Sequence, residues 1–579
     1  MQRGYRLAVS IGMVLLFSGM AIPARAAAVR PACLASNDSA GAEDVYLPID
    51  SWIYPALDRL HGMGYADSAY LGLRPWTRRS IRRMLDESSQ ARGFDGDAAA
   101  MELQGAIQRE LGREPSDSDE LSYGCEEAYT RLQGIAGLPL RDSFHLGQSL
   151  KNDYGRPYQH GFNTVDGAAG SAQYGRFSLY ARAEYQHAPG AAGYSPALVT
   201  TLSRMDLCQN ATAASCSTIL ANNPVQATIP AGPIASTNVF RIVEANLSYR
   251  ILNHQISFGK SDHWLAPTVG GAFLYSNNAE NIYAFQVDRA EPLYVPLLSR
   301  LTGPFRYDFF VGSLKGHSYP NDPWIHTEKI NFKPTRNVEF GFSRSTIWGG
   351  KGHVPITLHS FLKSFFSFQN VPNEEKLSRG DPGARFGTFD FSWRLPFVSH
   401  RLTLYLDSLV HDDVSPTDAP RHAGVRPGIY LSAFPHASRL DFRFEGVDTD
   451  PATSRSSQGA YLYTENIQLQ GYTNKGFIMG DAIGRQGKGG QAWLTYHLSP
   501  LEMIQASFRH AKVARDFIPS GTTQNSFDVH VVKRLHEQLE LSADVQHEWW
   551  KAPLYQSGEQ SDTVATFQLT VYPQRKTTP

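Results

Sequence analysis

The sequence has few cysteines, no excess of either charge, and no long apolar run beyond its start. It contains 4 cysteines in 579 residues, and 54 basic against 55 acidic side chains give a formal net charge of −1. Without a basic block, nucleic acid is not an expected partner. After residues 7–20, no stretch reaches the roughly 18 consecutive apolar residues that a transmembrane helix requires. If the mature protein lies in a membrane, it must therefore cross it as strands.

Residues 1–26 have the features of a secretory signal peptide. Arg3 and Arg6 precede the apolar run 7–20, and the small-residue pattern at 24–26 follows it. Export implies an oxidising compartment, where an even number of cysteines tends to form disulfides. Two pairs are predicted: Cys208 with Cys216, and Cys33 with Cys125. Neither pair has metal-site spacing, so no metal or cofactor is predicted.

Residues 27–140 carry helix signals. Asp50-Ser51, Thr77 and Asp97 each precede an apolar pattern of helical period, as capping residues do. These segments predict a small N-terminal α-helical bundle on the periplasmic side.

From residue 141 to 579, apolar residues recur at every second position instead of at helical spacing. In 176–186, Phe177, Leu179 and Tyr185 alternate with charged residues such as Arg182 and Glu184. Long alternating segments with charged faces are typical of outer-membrane barrels, and roughly 430 residues at around 24 per strand give about 18 strands. A soluble sandwich or propeller also alternates, but its strands are shorter and no propeller repeat is visible. The predicted fold is mainly β: a large antiparallel outer-membrane barrel with long extracellular loops.

Four separated segments resemble one known family. They are YLPIDSWIYPALDRLHGMGY…GLRPWTR at 46–78, LGQSLKNDYGRPYQHGFN at 146–163, FGKSDHW…SNNAEN at 258–281 and WGGKGH at 348–353. In this order they resemble the capsule-assembly proteins of the Wzi type. The resemblance implies an outer-membrane barrel of about eighteen strands with a periplasmic helical bundle. It also implies a lectin-like, non-enzymatic role in holding capsular polysaccharide or exopolysaccharide at the cell surface. The partners it implies are that polysaccharide, outer-membrane lipid and the polysaccharide export machinery.

A carbohydrate site requires aromatic faces for stacking, and amide or charged groups for hydrogen bonds to hydroxyls. Segments 258–281 and 348–353 supply both kinds. The candidate polysaccharide-binding residues are Lys260, Asp262, His263, Trp264, Asn277, Asn278, Trp348 and Lys351. For each of them, packing in the lumen or within a loop is the alternative role.

Two other functions compete with the lectin. No nucleophile elbow or metalloprotease motif singles out a catalytic site, so no enzyme is predicted. A porin-type channel for small solutes is the main alternative. Apolar residues at helical spacing in 358–365 oppose it, because they predict a helix inside or over the barrel mouth that narrows the lumen. A helix lying on the membrane is the less favoured alternative for this segment, because its flanks are weakly charged.

Overall fold

A computed structural model describes residues 42–91, 93–112, 121–208, 212–222, 226–367, 373–396, 401–412, 422–451 and 459–573. The predicted signal peptide at 1–26 and Cys33 lie outside these residues.

Short helices and many strands make up the described chain. The helices are α1 (Ile53–Gly62), α2 (Arg78–Ser89), α3 (Ala98–Leu111), α4 (Pro196–Leu207), α5 (Ala213–Asn222), α6 (Leu298–Thr302), α7 (Leu358–Phe366) and α8 (Asn373–Lys376). The first strands are β1 (Ser122–Gly137), β2 (Arg141–Asp142), β3 (Gly147–Gln148), β4 (Gly161–Tyr174), β5 (Phe177–Ala188), β6 (Thr237–Ile251), β7 (His254–Lys260), β8 (Tyr283–Arg289), β9 (Phe305–Ser313), β10 (Trp324–Thr335) and β11 (Val338–Trp348). The remaining strands are β12 (Ala384–Arg394), β13 (Leu402–His411), β14 (Gly424–Leu431), β15 (Leu440–Asp448), β16 (Thr473–Asn474), β17 (Phe477–Ile478), β18 (Lys488–Ser499), β19 (Glu502–Val513), β20 (Thr522–His536), β21 (Leu539–Ala552) and β22 (Gln556–Val571).

Eighteen of these strands form one closed antiparallel barrel. Each barrel strand pairs with its neighbour along the chain, and β1 closes the ring by pairing with both β4 and β22. The predicted fold class and strand number are confirmed. The barrel begins at Ser122, earlier than the predicted boundary at 141. Strand β1 is hard to recognise from its sequence, because Glu126, Glu127 and several glycines interrupt the alternation of apolar and polar residues.

The wall separates an apolar outside from a charged inside. On β5, Phe177, Leu179 and Tyr185 are exposed, whereas Arg182 and Glu184 are buried in the lumen. The predicted two-residue alternation is thereby confirmed, and outward apolar rows of this kind are the surface that a membrane-spanning barrel presents to lipid. No helix in the described part of the chain is long and apolar enough to cross a membrane.

The helical bundle covers the barrel end that has the short turns. Thr77 and Asp97 cap α2 and α3, as predicted, each accepting a hydrogen bond from a backbone N–H three residues on. The bundle is tied to the wall by charged contacts: Arg394 donates to Asp67 at 2.6 Å, and Glu339 accepts from the Leu71 N–H at 2.9 Å. We call the opposite end, which carries the long loops, the mouth.

Helix α7 lies on the outer face of the barrel, so the prediction that it packs inside or over the mouth is wrong. Lys329 of β10 points inward, because its Nζ donates to the carbonyl of Leu265 in the lumen. His326 is an odd number of residues away and therefore points outward. The Nε2 of His326 lies 3.0 Å from the Oγ of Ser364 in α7, and its ring stacks on Phe365 at 4.0 Å. Apolar helical spacing shows that a helix has a face to bury, but not on which side of the wall.

Candidate functional site

Residues 261–282, which we call the plug, leave the wall after β7 and cross the lumen. Lys329 of β10 donates to the Leu265 carbonyl at 3.1 Å. Farther along, the N–H of Val269 donates to Glu445 of β15 at 2.8 Å. From β7 to β15 is eight steps around an eighteen-stranded ring, so the plug reaches almost the opposite wall. At this level the plug therefore spans the lumen.

Glycine allows the chain to leave the wall. Gly259 has φ +139°, and a Cβ at this position would lie 1.9 Å from the carbonyl oxygen of Ala245 on the neighbouring strand. Only glycine fits this approach. Beyond it the plug forms its own hydrogen bonds: the indole Nε1 of Trp264 donates to the Thr268 carbonyl at 2.7 Å, and the Thr268 hydroxyl donates to the Gly271 carbonyl at 2.5 Å.

Asp262 is the point where three parts of the chain meet. Its carboxylate accepts hydrogen bonds from the Ile49 N–H at 2.9 Å, the Tyr154 hydroxyl at 3.0 Å and the Asn281 amide at 2.7 Å. These donors belong to the segment before α1, a mouth loop and the far end of the plug. Burial raises the pKa of Asp262. The residue therefore links bundle, plug and mouth.

The other candidates at 260–278 are also in internal contacts. Lys260 pairs with Glu280 at 2.5 Å, and His263 lies against the ring of Phe310 at 4.1 Å. Burial lowers the pKa of His263 to about 3, so the imidazole is neutral at physiological pH. The candidates in this segment that are buried are Lys260, Asp262, His263, Trp264, Asn277 and Asn278. Their contact with polysaccharide stays a prediction, and the structure gives each of them a place in the framework of the plug.

The two candidates in segment 348–353 lie on different surfaces of the barrel. Trp348 is buried beneath α7 on the outer wall, where its ring meets Phe361 at 6.0 Å. Lys351 lies at the mouth with a side chain that is 77% exposed. Of the eight candidates, Lys351 alone presents its side chain to solvent.

Lys351 belongs to a group of three exposed lysines, with Lys315 and Lys475, which we call the lysine cluster. Lys315 and Lys351 both pair with Asp322, each at 2.8 Å. Lys475 joins them through its backbone N–H, which donates to the carbonyl of Lys315 at 2.7 Å. Their side chains are 52%, 77% and 51% exposed. Hydrogen bonds from the two lysines hold the pKa of Asp322 below its usual value.

Positive charge exceeds negative charge around this cluster. Glu280, at the end of the plug, accepts from Lys475 at 2.9 Å, from Arg241 at 2.8 Å and from Lys260 at 2.5 Å. Burial acts to raise the pKa of Glu280, but these cations outweigh it and lower the pKa to about 2. Five cations thus share two carboxylates, so the cluster carries uncompensated positive charge.

An aromatic ring lies beside the lysines. Tyr319 is partly exposed, and its hydroxyl donates to the Gly352 carbonyl at 3.4 Å, next to Lys351. Sequence reasoning identified Lys351 but missed Lys315, Lys475 and Tyr319. The available signal was a Lys-Gly pair at 315–316, 351–352 and 475–476. The same pair also begins β18 at 488–489, so it does not single out the cluster.

A buried charged group joins the mouth loops. His145 lies between Asp142, at 2.9 Å from Nδ1, and Asp206, at 2.8 Å from Nε2. Asp206 also accepts from Arg485 at 2.7 Å. Burial acts to lower the pKa of His145, but the two carboxylates outweigh it and raise the pKa to about 9. The imidazolium is therefore the stable form at neutral pH, and together with Arg485 it joins three mouth loops.

One group of metal-type ligands occurs among the described residues. His411, Asp412 and Glu465 bring their ligand atoms within 4.8 Å of one another. The ammonium of Lys376 lies 3.3 Å from Asp412 and 3.1 Å from Glu465. A lysine already supplies the positive charge that these carboxylates need, so the group is an ion-pair network.

The predicted disulfide between Cys208 and Cys216 is confirmed, with a sulfur–sulfur distance of 2.03 Å. It links the end of α4 to α5 in the mouth loop between β5 and β6. Pairing of Cys125 with Cys33 stays a prediction, because Cys33 lies outside the described residues.

Comparison with known proteins identifies the family. The family model described as "Capsule assembly protein Wzi" matches residues 131–565, about three quarters of the chain. The chain belongs to the Wzi capsule-assembly family. A solved Wzi structure from Escherichia coli covers 91% of this chain and 99% of its own, with a TM-score of 0.64 and 16% identity. That protein is described as an outer-membrane, carbohydrate-binding β-barrel involved in group 1 capsule assembly. At this identity the likeness shows the shared fold.

A curated relative is similar over a shorter region. It is an uncharacterized 55.8 kDa protein in the cps region of Klebsiella pneumoniae, 25% identical over 163 residues. The match covers 28% of this chain and 31% of the relative, so it spans about a third of the relative's length.

Proposed function

We propose that this protein is a non-enzymatic, lectin-like barrel of the outer membrane that binds an acidic capsular polysaccharide or exopolysaccharide at its mouth. Binding there retains the polysaccharide at the cell surface. Export by the predicted signal peptide, and contact with the polysaccharide export machinery, belong to the same proposal. Membership of the capsule-assembly family and the carbohydrate binding described for the E. coli Wzi barrel support it.

The observation that carries the proposal is the lysine cluster. Lys315, Lys351 and Lys475 present ammonium groups to solvent, and the carboxylates they pair with are too few to neutralise the local positive charge. Uronate carboxylates can form charge-assisted hydrogen bonds with such groups. Tyr319 adds a ring face for stacking against a sugar. A repeating anionic chain can meet several lysines at once, which multiplies weak individual contacts.

Binding to alginate, a polymer of uronates, tests the site directly. The purified full chain is titrated with alginate and, separately, with neutral dextran. We expect the Lys315→Ala, Lys351→Ala, Lys475→Ala triple variant to lose most of its alginate affinity. Native binding should weaken as salt rises, because salt screens exposed charges.

The chain offers a matched control triple. Lys488, Lys533 and Lys551 are also exposed and paired with carboxylates, Lys488 with two of them, but they lie on β18, β20 and β21. Replacing these three with alanine removes the same formal charge and should leave alginate binding close to native. Equal losses in the two triples would show that overall charge, and not the lysine cluster, determines binding.

The alternative function, a channel for small solutes, is opposed by the plug. Contacts from Leu265, Val269 and Phe273 reach β10, β15 and β13, so the plug touches the wall on several sides. The purified protein should therefore show little conductance in planar bilayers. A large steady conductance would support the channel.

A further inference from the structure

The outer wall beside α7 has an unusual polar arrangement for a lipid-facing surface. His326 and Glu328 of β10 and Arg344 of β11 all point away from the lumen. The Nδ1 of His326 lies 2.6 Å from Glu328, and Arg344 donates to the carbonyls of Ser364, Phe365 and Ser367 at 2.6–2.9 Å. A guanidinium at a helix C-terminus satisfies free carbonyls and complements the helix dipole.

The outer face of α7 is apolar. Leu358, Leu362 and Phe366 follow one another at intervals of four residues and are 73%, 44% and 72% exposed. The opposite face, with Phe361 and Phe365, packs on the wall. A helix that buries polar contacts against a membrane-spanning wall and exposes leucine and phenylalanine is suited to a hydrocarbon surrounding.

An apolar groove of about 760 Å³ begins at the C-terminal end of α7. It starts at Phe309, whose ring meets Phe365 at 5.6 Å, and at Arg344. It continues across the outward rows of β11 to β14. The outward apolar residues along it are Phe342, Phe389, Leu406, Val410 and Val425.

We propose that this groove binds the acyl chains of a bilayer lipid beside α7. Outward residues in the groove, such as Ile330 and Phe342, and beside it, such as Ile429, are exposed in the same apolar rows, so the groove opens into the hydrocarbon layer. An apolar space does not hold water well, whereas an acyl chain gains dispersion contacts on several sides of a concave surface. The volume lies within the range of about 300–1,000 Å³ that is usual for ligand pockets.

This site is separate from polysaccharide binding, because it lies on the outside of β9 to β14 and the lysine cluster lies at the mouth. The groove residues are also supplied by several strands of the rigid wall, so the surface does not depend on one loop conformation. The inference therefore does not require the proposed function to be correct.

Photolabelling can locate the lipid. The full chain is reconstituted into phosphatidylethanolamine vesicles that contain a trace of the same lipid with a diazirine in one acyl chain. After illumination, labelled peptides are mapped by mass spectrometry. We expect labelling to concentrate on outward residues of β11 to β14. Uniform labelling around the barrel would overturn the proposal.

Val425→Trp and Ile429→Trp form a matched pair. Both residues lie on the outer face of β14, but Val425 lines the groove and Ile429 does not. Val425→Trp should reduce groove labelling several-fold, and Ile429→Trp should leave it unchanged. Val425→Phe, a smaller filling substitution at the same position, provides a second variant if Val425→Trp fails to fold, as judged by heat-modifiable migration. Cross-linking of two copies of the chain through these residues would identify a protein interface instead, and the lipid proposal would be wrong.

Discussion

The plug and the lysine cluster use similar residues for different purposes. In the plug, Asp262 satisfies three donors, and His263 and Trp264 pack against neighbours. In the lysine cluster, Lys315 and Lys351 share one carboxylate and remain more than half exposed. The first region uses its hydrogen-bonding capacity internally, whereas the second keeps charge available for a partner.

The difference shows that residue type alone does not identify a binding site. Aspartate, histidine, tryptophan and asparagine suit a sugar, but they also suit a buried network in which every polar group needs a partner. Burial decides between the two roles. The comparison predicts that mutations in the plug change the stability of the protein and the closure of its lumen. Mutations in the lysine cluster should instead change polysaccharide binding.

The largest effect is expected from Asp262→Ala. The substitution leaves the N–H of Ile49, the Tyr154 hydroxyl and the Asn281 amide without their acceptor. Each buried donor left unsatisfied costs on the order of 1–3 kcal/mol, so we expect a loss of about 3 kcal/mol or more. The temperature at which half of the protein shifts from folded to unfolded electrophoretic migration should fall, and conductance should appear in planar bilayers.

Asp262→Asn is the control for this prediction. Because burial raises the pKa of Asp262, the neutral amide should be tolerated better than the truncated side chain. An Asp262→Ala variant that does not conduct and is as heat-stable as the native protein would contradict the role assigned to this carboxylate.

A pH dependence of intermediate size is expected from His145. Its pKa is raised from 6.5 to about 9, so the stabilisation is fully present below pH 6.5 and is lost as the pH rises to about 9. A shift of this size corresponds to at most about 3 kcal/mol. Limited proteolysis of the mouth loops should therefore become faster between pH 6.5 and 9.

His145→Gln separates this effect from the general influence of pH. Glutamine cannot become charged, so proteolysis of the variant should be faster at pH 6.5 and should change little up to pH 9. If native protein and variant show the same pH profile, another group controls the mouth loops.

The smallest effect is expected from Lys351→Ala alone. The lysine is highly exposed, and single exposed ion pairs contribute about 0–1 kcal/mol. Alginate affinity should fall by up to about fivefold, as 1 kcal/mol allows. Barrel stability should not change. A loss as large as that of the triple variant would show that Lys351 acts without Lys315 and Lys475.

The wall and the helix starts were predictable because they depend on local periodicity. Alternation at Phe177–Tyr185 identified the outward face of a strand, and Thr77 and Asp97 identified two helix starts. The plug was harder to predict, because segment 258–281 has the composition of an exposed loop. Its burial depends on contacts with β10, β13 and β15, more than 60 residues away in the chain.

The sequence by itself determined a barrel of about eighteen strands and the family, since period-two patterning and ordered motifs are properties of the chain alone. Tertiary structure decided that segment 261–282 crosses the lumen and that α7 lies on the lipid-facing side. It also decided that Lys315, Lys351 and Lys475 meet at the mouth. The physical reason is that burial and proximity arise from contacts between residues that are distant in sequence, and local patterns do not specify those contacts.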